Sequence, residues 1–199
     1  MASPRTEGVR CSWCGTDPIY VAYHDTEWGV PELDDRALYE KLVLDGFQAG
    51  LSWITVLKKR DAFRKAFKQF EPEKIARMNE RDVVKLLDNP GIIRSRLKIQ
   101  GAIKNARAWL AIMEQGEGAF RDLLWEAVNH RTIDMRLKRN EDVCTLSSGS
   151  IALAKTLKKR GFTFCGPVIV YAFMQAVGMY NEHLLSCPRH SACRRIARR

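Results

Sequence analysis

Apolar residues recur along the chain mainly at three- and four-residue spacings, and no run alternates strictly, so the pattern predicts helices and no sheet. Residues 34–44 carry apolar side chains at 38, 39, 42, 43 and 44 behind Asp34 and Asp35, as a capped amphipathic helix does. Ser52 to Leu57 is apolar and runs into the cationic Lys58-Lys59-Arg60, a favourable last turn. Further helices are expected over Asp61–Phe70, from Glu71-Pro72 onward, and over Arg81–Leu87. Asn89-Pro90-Gly91 reads as a turn, after which Ser95 can cap a helix reaching about Met113. Phe120–Val128 and Ser150–Lys159 also read as helical, and a final long helix starts near Pro167. Residues 131–148 have weak periodicity and are expected as the longest loop.

With 199 residues, 46% of them hydrophobic and 28% charged, the chain is long and apolar enough for a folded domain, which excludes a disordered protein. The expected organisation is a flexible tail over 1–7, one domain over 8–190, and a mobile basic tail over 191–199. The start lacks the apolar run of a signal peptide. The most apolar stretch, Phe162–Tyr180, contains Pro167, Gln175 and two glycines, so it reads as a buried helix, not a membrane span. A cytoplasmic monomer is expected. The formal net charge of +10 changes the picture more, because it favours a polyanionic partner, nucleic acid first.

Three clusters carry candidate chemistry. His183 and Cys187 stand four apart and share a face if helical, while Cys11, Cys14 and His24 lie near the other terminus. Two cysteines and two histidines make a closed tetrahedral zinc site, one that clips the chain ends together and leaves no position for a reactive water. Spacing leaves Cys11 and Cys14 in competition, and a buried Cys–His pair without metal is the plain alternative. The second cluster, Val83 to Ile99, reads as helix, tight apolar turn, helix. Gly91 permits the turn, Ile92 and Ile93 anchor it, and Arg94, Arg96 and Lys98 surround helix-start N–H groups suited to a phosphate. It resembles the helix-hairpin-helix module, which grips DNA by its backbone. The third gathers Trp13, Tyr23, Trp28 and Trp53 around Asp45 and the stretch Phe47–Ser52. Aromatic faces and one acceptor are what an enzyme needs to hold a base taken out of the stack, though such aromatics are as often plain core.

Longer strings then decide between these readings. Arg10–Trp13, Asp17–Pro31, Gln48–Arg60, Gly91–Arg94, Phe120–His130, Leu157–Phe162 and the late His183-x-x-x-Cys187 together resemble the 3-methyladenine DNA glycosylase I family, over roughly residues 8 to 190. The resemblance implies an all-α fold of the helix-hairpin-helix superfamily, with the hairpin at about 82–106. It implies one structural Zn2+ on Cys11, His24, His183 and Cys187, which leaves Cys14 a bystander. It also implies a base pocket of Trp13, Tyr23, Trp53 and Asp45, with Tyr23 and Asp45 catalytic, and Gly50 and Leu51 entering the gap left in the duplex. The hairpin residues Gly91, Ile92, Ile93, Arg94, Arg96 and Lys98 would contact DNA. The implied activity is hydrolytic release of 3-methyladenine from double-stranded DNA, giving the free base and an abasic site. A known member of the family carries glutamate where this chain has Asp45, about 1.5 Å longer in reach, enough to matter to a hydrogen bond. Residues 95–113 contain no aspartate, and Ser95 stands where bifunctional relatives of the superfamily carry lysine, so a Schiff-base lyase is not expected. The competing reading is a catalytically weak damage-binding module on the same scaffold, which would release no free base.

Overall fold

The structure, a computed structural model, describes residues 9–197. The expected tail over 1–7 and the last two arginines lie outside the described residues. The helix α1 (Pro18–Thr26) begins where Asp17 accepts a hydrogen bond from the Ile19 N–H at 3.0 Å and Pro18 occupies the first turn, where its missing N–H costs nothing. Next comes α2 (Asp35–Gln48), capped by Asp34, whose carboxylate accepts from the Ala37 N–H at 2.7 Å. It is one turn longer than its pattern predicts. Then follow α3 (Trp53–Leu57), α4 (Arg60–Ala66), α5 (Pro72–Ala76), α6 (Glu80–Leu87) and the long α7 (Arg96–Met113). The C-terminal half holds α8 (Ala119–Trp125), α9 (Ser148–Lys159), α10 (Pro167–Ala176) and α11 (Pro188–Ile196). Among the described residues, no helix is long and apolar enough to cross a membrane.

Three expectations need correction. A short parallel sheet exists: Ile133–Asp134 pairs with Tyr180–Asn181, joining the long loop to the segment just before His183. Two residues per strand is too short to leave an alternation in the sequence. The expected helix over 61–70 breaks at Phe67, because Lys68, Gln69 and Phe70 adopt left-handed φ of 54°, 58° and 52°. That turn directs Phe70 inward, where its ring stacks 5.8 Å from Phe67. Finally, the boundary drawn at 191 falls inside α11, whose Pro188 start is a good first turn and whose Cys193 and His190 are buried. Arg194 and Arg195 are therefore its last turn, not part of a loose arm.

The core forms where α10 packs on α9 and α2, and α7 on α5. α2 is pinned at its start. The indole N–H groups of Trp109 and Trp125 donate to the carbonyls of Asp35 (3.3 Å) and Glu32 (3.0 Å), and the Asp35 carboxylate accepts from the N–H groups of Gly118 and Arg121. Near its other end, Gly46 and Gly101 admit Phe164 between α2 and α7. A Cβ on Gly101 would come within 2.6 Å of that ring. α2 is thus held at both ends, which fixes where its backbone presents Lys41 and Asp45.

Candidate active site

Two buried clusters share Trp13. The first joins the chain ends. The Sγ atoms of Cys11 and Cys187 and the ring nitrogens of His24 and His183 all lie within 4.8 Å of one another, and all four residues are buried. Cys187 Sγ is 3.6 Å from His24 Nε2 and 3.7 Å from His183 Nδ1, and Cys11 Sγ is 3.7 Å from the same Nδ1. The far side of each imidazole is also occupied. His24 Nδ1 lies 2.8 Å from Asp25, which Arg10 holds in turn, and His183 Nε2 lies 3.0 Å from the Trp28 carbonyl. Those contacts fix each ring so that its other nitrogen faces the sulfurs, an arrangement typical of metal-binding histidines. The Leu184 N–H donates to Cys11 Sγ at 3.4 Å. The hydrogen bond between the two thiols pushes Cys187 below the ordinary thiol range and Cys11 above it. Cys14 is not in the set: its thiol donates to the Cys11 carbonyl. The competition that spacing left open ends with Cys11 inside the cluster. The four residues form a buried Cys2His2 set able to hold a metal ion.

The second cluster lines a cavity of about 400 Å³, within the about 300–1,000 Å³ usual for small-molecule pockets. Trp13, Tyr23, Trp53 and Asp45, the residues that the resemblance assigns to a base pocket, all line it, together with Trp28, Tyr20 and Gln48. Trp13 meets Tyr20 and Trp28 edge-on at 5.0 and 4.9 Å, and Tyr23 tilts against Trp53 at 5.5 Å. Trp13 also meets the ring of His24 at 5.3 Å, so the first cluster holds a wall of the second.

Three buried atoms of residues lining this cavity make no hydrogen bond among the described residues: Asp45 Oδ2 and the indole nitrogens of Trp13 and Trp53. Burial pushes the Asp45 carboxyl up, partly opposed by Lys41, whose ammonium donates to Oδ1. Tyr23 is pushed well above the ordinary phenol range, by burial first and then by the Asp45 charge, so its hydroxyl keeps its proton.

Sequence reasoning missed two charged lining residues, Lys41 and Glu182. Lys41 stands one turn before Asp45, and its Nζ lies 3.9 Å from the centre of the Trp53 ring. The i, i+4 spacing on a predicted helix was the available signal. Glu182 accepts from the Tyr171 hydroxyl and, at 2.5 Å, from Gln175 Nε2. It is buried, which pushes its carboxyl up, and nothing local in the sequence marks it.

The residues assigned to DNA contact lie elsewhere. Gly50 and Leu51 sit in the exposed turn between α2 and α3, with Gly50 at φ 83° and Leu51 43% exposed. Gly91 and Ile92 form the turn between α6 and α7, with Ile92 buried and Ile93 half-buried, and Arg94 is exposed. The Gly91 N–H donates to Asn89 Oδ1. Ser95 precedes α7 without a side-chain cap. Arg96 pairs with Glu80. Lys98 turns inward and donates to the carbonyls of Phe47 (2.9 Å) and Ala49 (2.7 Å), tying the 49–51 turn to α7.

Residues 13–190 match the family described as methyladenine glycosylase. This chain belongs to the methyladenine glycosylase family. To the DNA-3-methyladenine glycosylase 1 of Escherichia coli (strain K12) it is 52% identical over 178 residues, spanning 89% of this chain and 95% of that one. To the DNA-3-methyladenine glycosylase of Haemophilus influenzae it is 50% identical over 180 residues, 90% of this chain and 97% of the relative. A crystal structure of 3-methyladenine DNA glycosylase I superposes with a TM-score of 0.89 at 53% identity, over 90% of this chain and 98% of that one. Another, a variant solved in complex with 3-methyladenine, gives 0.86 at 39% identity, over 89% and 95%. Residues 13–190 of the glycosylase family match include every residue discussed above except Arg10, Cys11 and the end of α11.

Proposed function

We propose that this chain is a monofunctional DNA-3-methyladenine glycosylase, which hydrolyses the N-glycosidic bond of 3-methyladenine in double-stranded DNA and leaves an abasic site. The observation that carries the reading is that Asp45, Trp13 and Trp53, each with a buried polar atom (Oδ2, Nε1 and Nε1) left unpartnered among the described residues, together line one aromatic-walled cavity. Leaving such groups unpaired costs about 1–3 kcal/mol each, which a bound base can recover.

Methylation at N3 gives the adenine nucleotide a positive charge and makes the base a good leaving group. Trp13 and Trp53 present the π faces that attract such a cation. Asp45, as carboxylate, accepts from the exocyclic amine and favours the charged base over a neutral one. Tyr23, held protonated, packs beside them and orients the base. The C1′–N9 bond breaks with its electron pair going to the base, which departs neutral. Water adds its oxygen to C1′ and gives its proton to solvent.

Outside the cavity, Gly50 and Leu51 enter the gap left by the flipped base. The α6–turn–α7 unit, about 82–106, serves as the helix-hairpin-helix. Its Gly91, Ile92 and Ile93 shape the turn, with Arg94 and Arg96 beside a phosphate. Lys98 serves DNA indirectly by holding the Gly50–Leu51 turn. The Cys11, His24, His183 and Cys187 set fits Zn2+. Zn–S of about 2.3 Å and Zn–N of about 2.0–2.1 Å put tetrahedral S–N edges at about 3.6 Å, against 3.6 and 3.7 Å here. When bound, zinc supplies a closed structural clip with no open coordination position. The protein acts as a monomer in the cytoplasm.

The Lys41 pairing of Asp45 favours one competing reading, a damage-binding module with little turnover. Free-base release from methylated duplex DNA, followed by chromatography with the unaltered protein and Asp45→Glu side by side, separates the two. Release of 3-methyladenine by the unaltered protein is the expected result. No release, with gain in the glutamate variant, would assign the scaffold to binding.

A further inference from the structure

The wall of the cavity that meets the base already holds a cation. Lys41 Nζ lies 3.9 Å from the Trp53 ring centre and donates to Asp45 Oδ1, so it occupies the aromatic face and the carboxylate that would receive a positively charged base. A second cavity, of about 250 Å³, lies directly beyond it and is lined by Lys41, Glu27 and Glu40 as well as by Trp53 and Tyr23. Lys41 therefore lines both cavities. Its side chain is 16% exposed and its ammonium pairs with Asp45, while Glu27 and Glu40 line the second cavity.

We propose that Lys41 is a displaceable internal counter-ion of Asp45: a cationic base captures the Trp53 face and the carboxylate by driving the ammonium toward Glu27 and Glu40, and Lys41 thereby sets how strongly the pocket prefers cationic over neutral bases. The inference rests on the cavity being the base pocket.

Three physical terms support it. Two like charges repel strongly when they share one face of Trp53 at contact distance in a poorly solvated cavity, so the ammonium must leave when a cation enters. A neutral base brings no such conflict and can share the pocket with the Lys41–Asp45 pair. Burial already works against the ammonium at this position and lowers the lysine below its ordinary range. The neighbouring charges are Asp45 on its own helix, and Glu27 and Arg60 from the elements packed against it. Glu27 pairs with Arg60 and Glu40 with Arg64, so the second cavity offers the arriving ammonium shared carboxylate oxygens, not free ones. The displaced position is correspondingly weaker than the resting one, which makes Lys41 a brake on cation binding as well as a filter.

The test measures calorimetric affinity for two ligands of nearly equal shape: 3,9-dimethyladeninium, a fixed cation, and 3-methyladenine at a pH where it is neutral. The proteins are the unaltered chain, Lys41→Met and Lys41→Gln, the last keeping a donor to Asp45, with thermal unfolding run on each to establish that it is folded. The expected result is that both variants bind the fixed cation on the order of tenfold more tightly, while affinity for the neutral base stays within about twofold. Equal changes for both ligands, or weaker cation binding in Lys41→Gln, would overturn the inference, because Lys41 would then be a wall of the pocket and not its resident cation. Binding of neither ligand by the unaltered chain would overturn the reading of the cavity, and the inference with it.

Discussion

The Cys2His2 cluster and the cavity are both built from buried polar side chains and both touch Trp13, yet their hydrogen-bond accounts are opposite. In the cluster, each histidine nitrogen turned away from the sulfurs has an acceptor, Asp25 for His24 and the Trp28 carbonyl for His183. In the cavity, three polar atoms have none. A closed set of partners resists change and holds the chain, whereas an open set stores free energy that only a ligand recovers. The first should therefore govern stability and the second turnover, and mutations can try to break that division.

The largest effect is expected at the cluster. Cys187→Ala should destabilise the protein by about 3–5 kcal/mol, and a strong chelator should reduce the stability of the unaltered chain by a similar amount without affecting the variant further, both read from denaturant unfolding. A variant that melts normally but no longer excises the base would place the cluster in catalysis and dissolve the comparison.

Asp45→Asn should lower single-turnover excision by about 10²–10³-fold, while DNA affinity by anisotropy and the melting temperature change little. Loss of affinity and turnover in equal measure would deny Asp45 its role at the base. The same carboxylate gives a pH dependence. Burial raises the Asp45 pKa, so as pH falls it takes up a proton sooner than an ordinary aspartate and loses its acceptor. Excision should accordingly fall in acid at a pH above the usual carboxylate range. That limb should vanish in Asp45→Asn if Asp45, not the similarly raised Glu182, is responsible.

Two smaller effects sharpen the boundary of the cavity. Lys98→Met frees the turn that carries Gly50 and Leu51. It should weaken binding to DNA by about tenfold, with binding of free 3-methyladenine unchanged. Arg94→Ala should act on the phosphate backbone alone, lowering the slope of log affinity against log salt by about one. A change in base preference there would mean that the hairpin reads more than backbone.

The sequence pattern reaches the helices whose apolar residues lie on one side, and fails where another signal dominates. α1 was overlooked because Ile19, Tyr20, Val21 and Tyr23 give it no single apolar stripe, although Asp17-Pro18 marks its start. α11 was read as a tail because arginines dominate its composition, whereas what settles it is Cys193 and His190 in the interior. The pocket aromatics and the four cluster residues became legible through long matching strings. Single spacings left Cys11 and Cys14 equal. Lys41 and Lys98 stayed hidden for a different reason. Each is a lysine on a helix, and only the meeting of α2 with Trp53, or of α7 with the end of α2, reveals that its charge faces inward.

The contact between Cys11 and His183 spans 172 positions of the chain. Trp13 follows Cys11 by two residues, so one wall of the cavity is tied to a segment 172 positions from Cys11. The stretch that carries Trp13, Tyr23, Asp45 and Trp53 holds four lining residues in sequence, yet lacks the partner that seats the neighbour of the first of them. The cavity is therefore a product of chain closure and not of any local stretch.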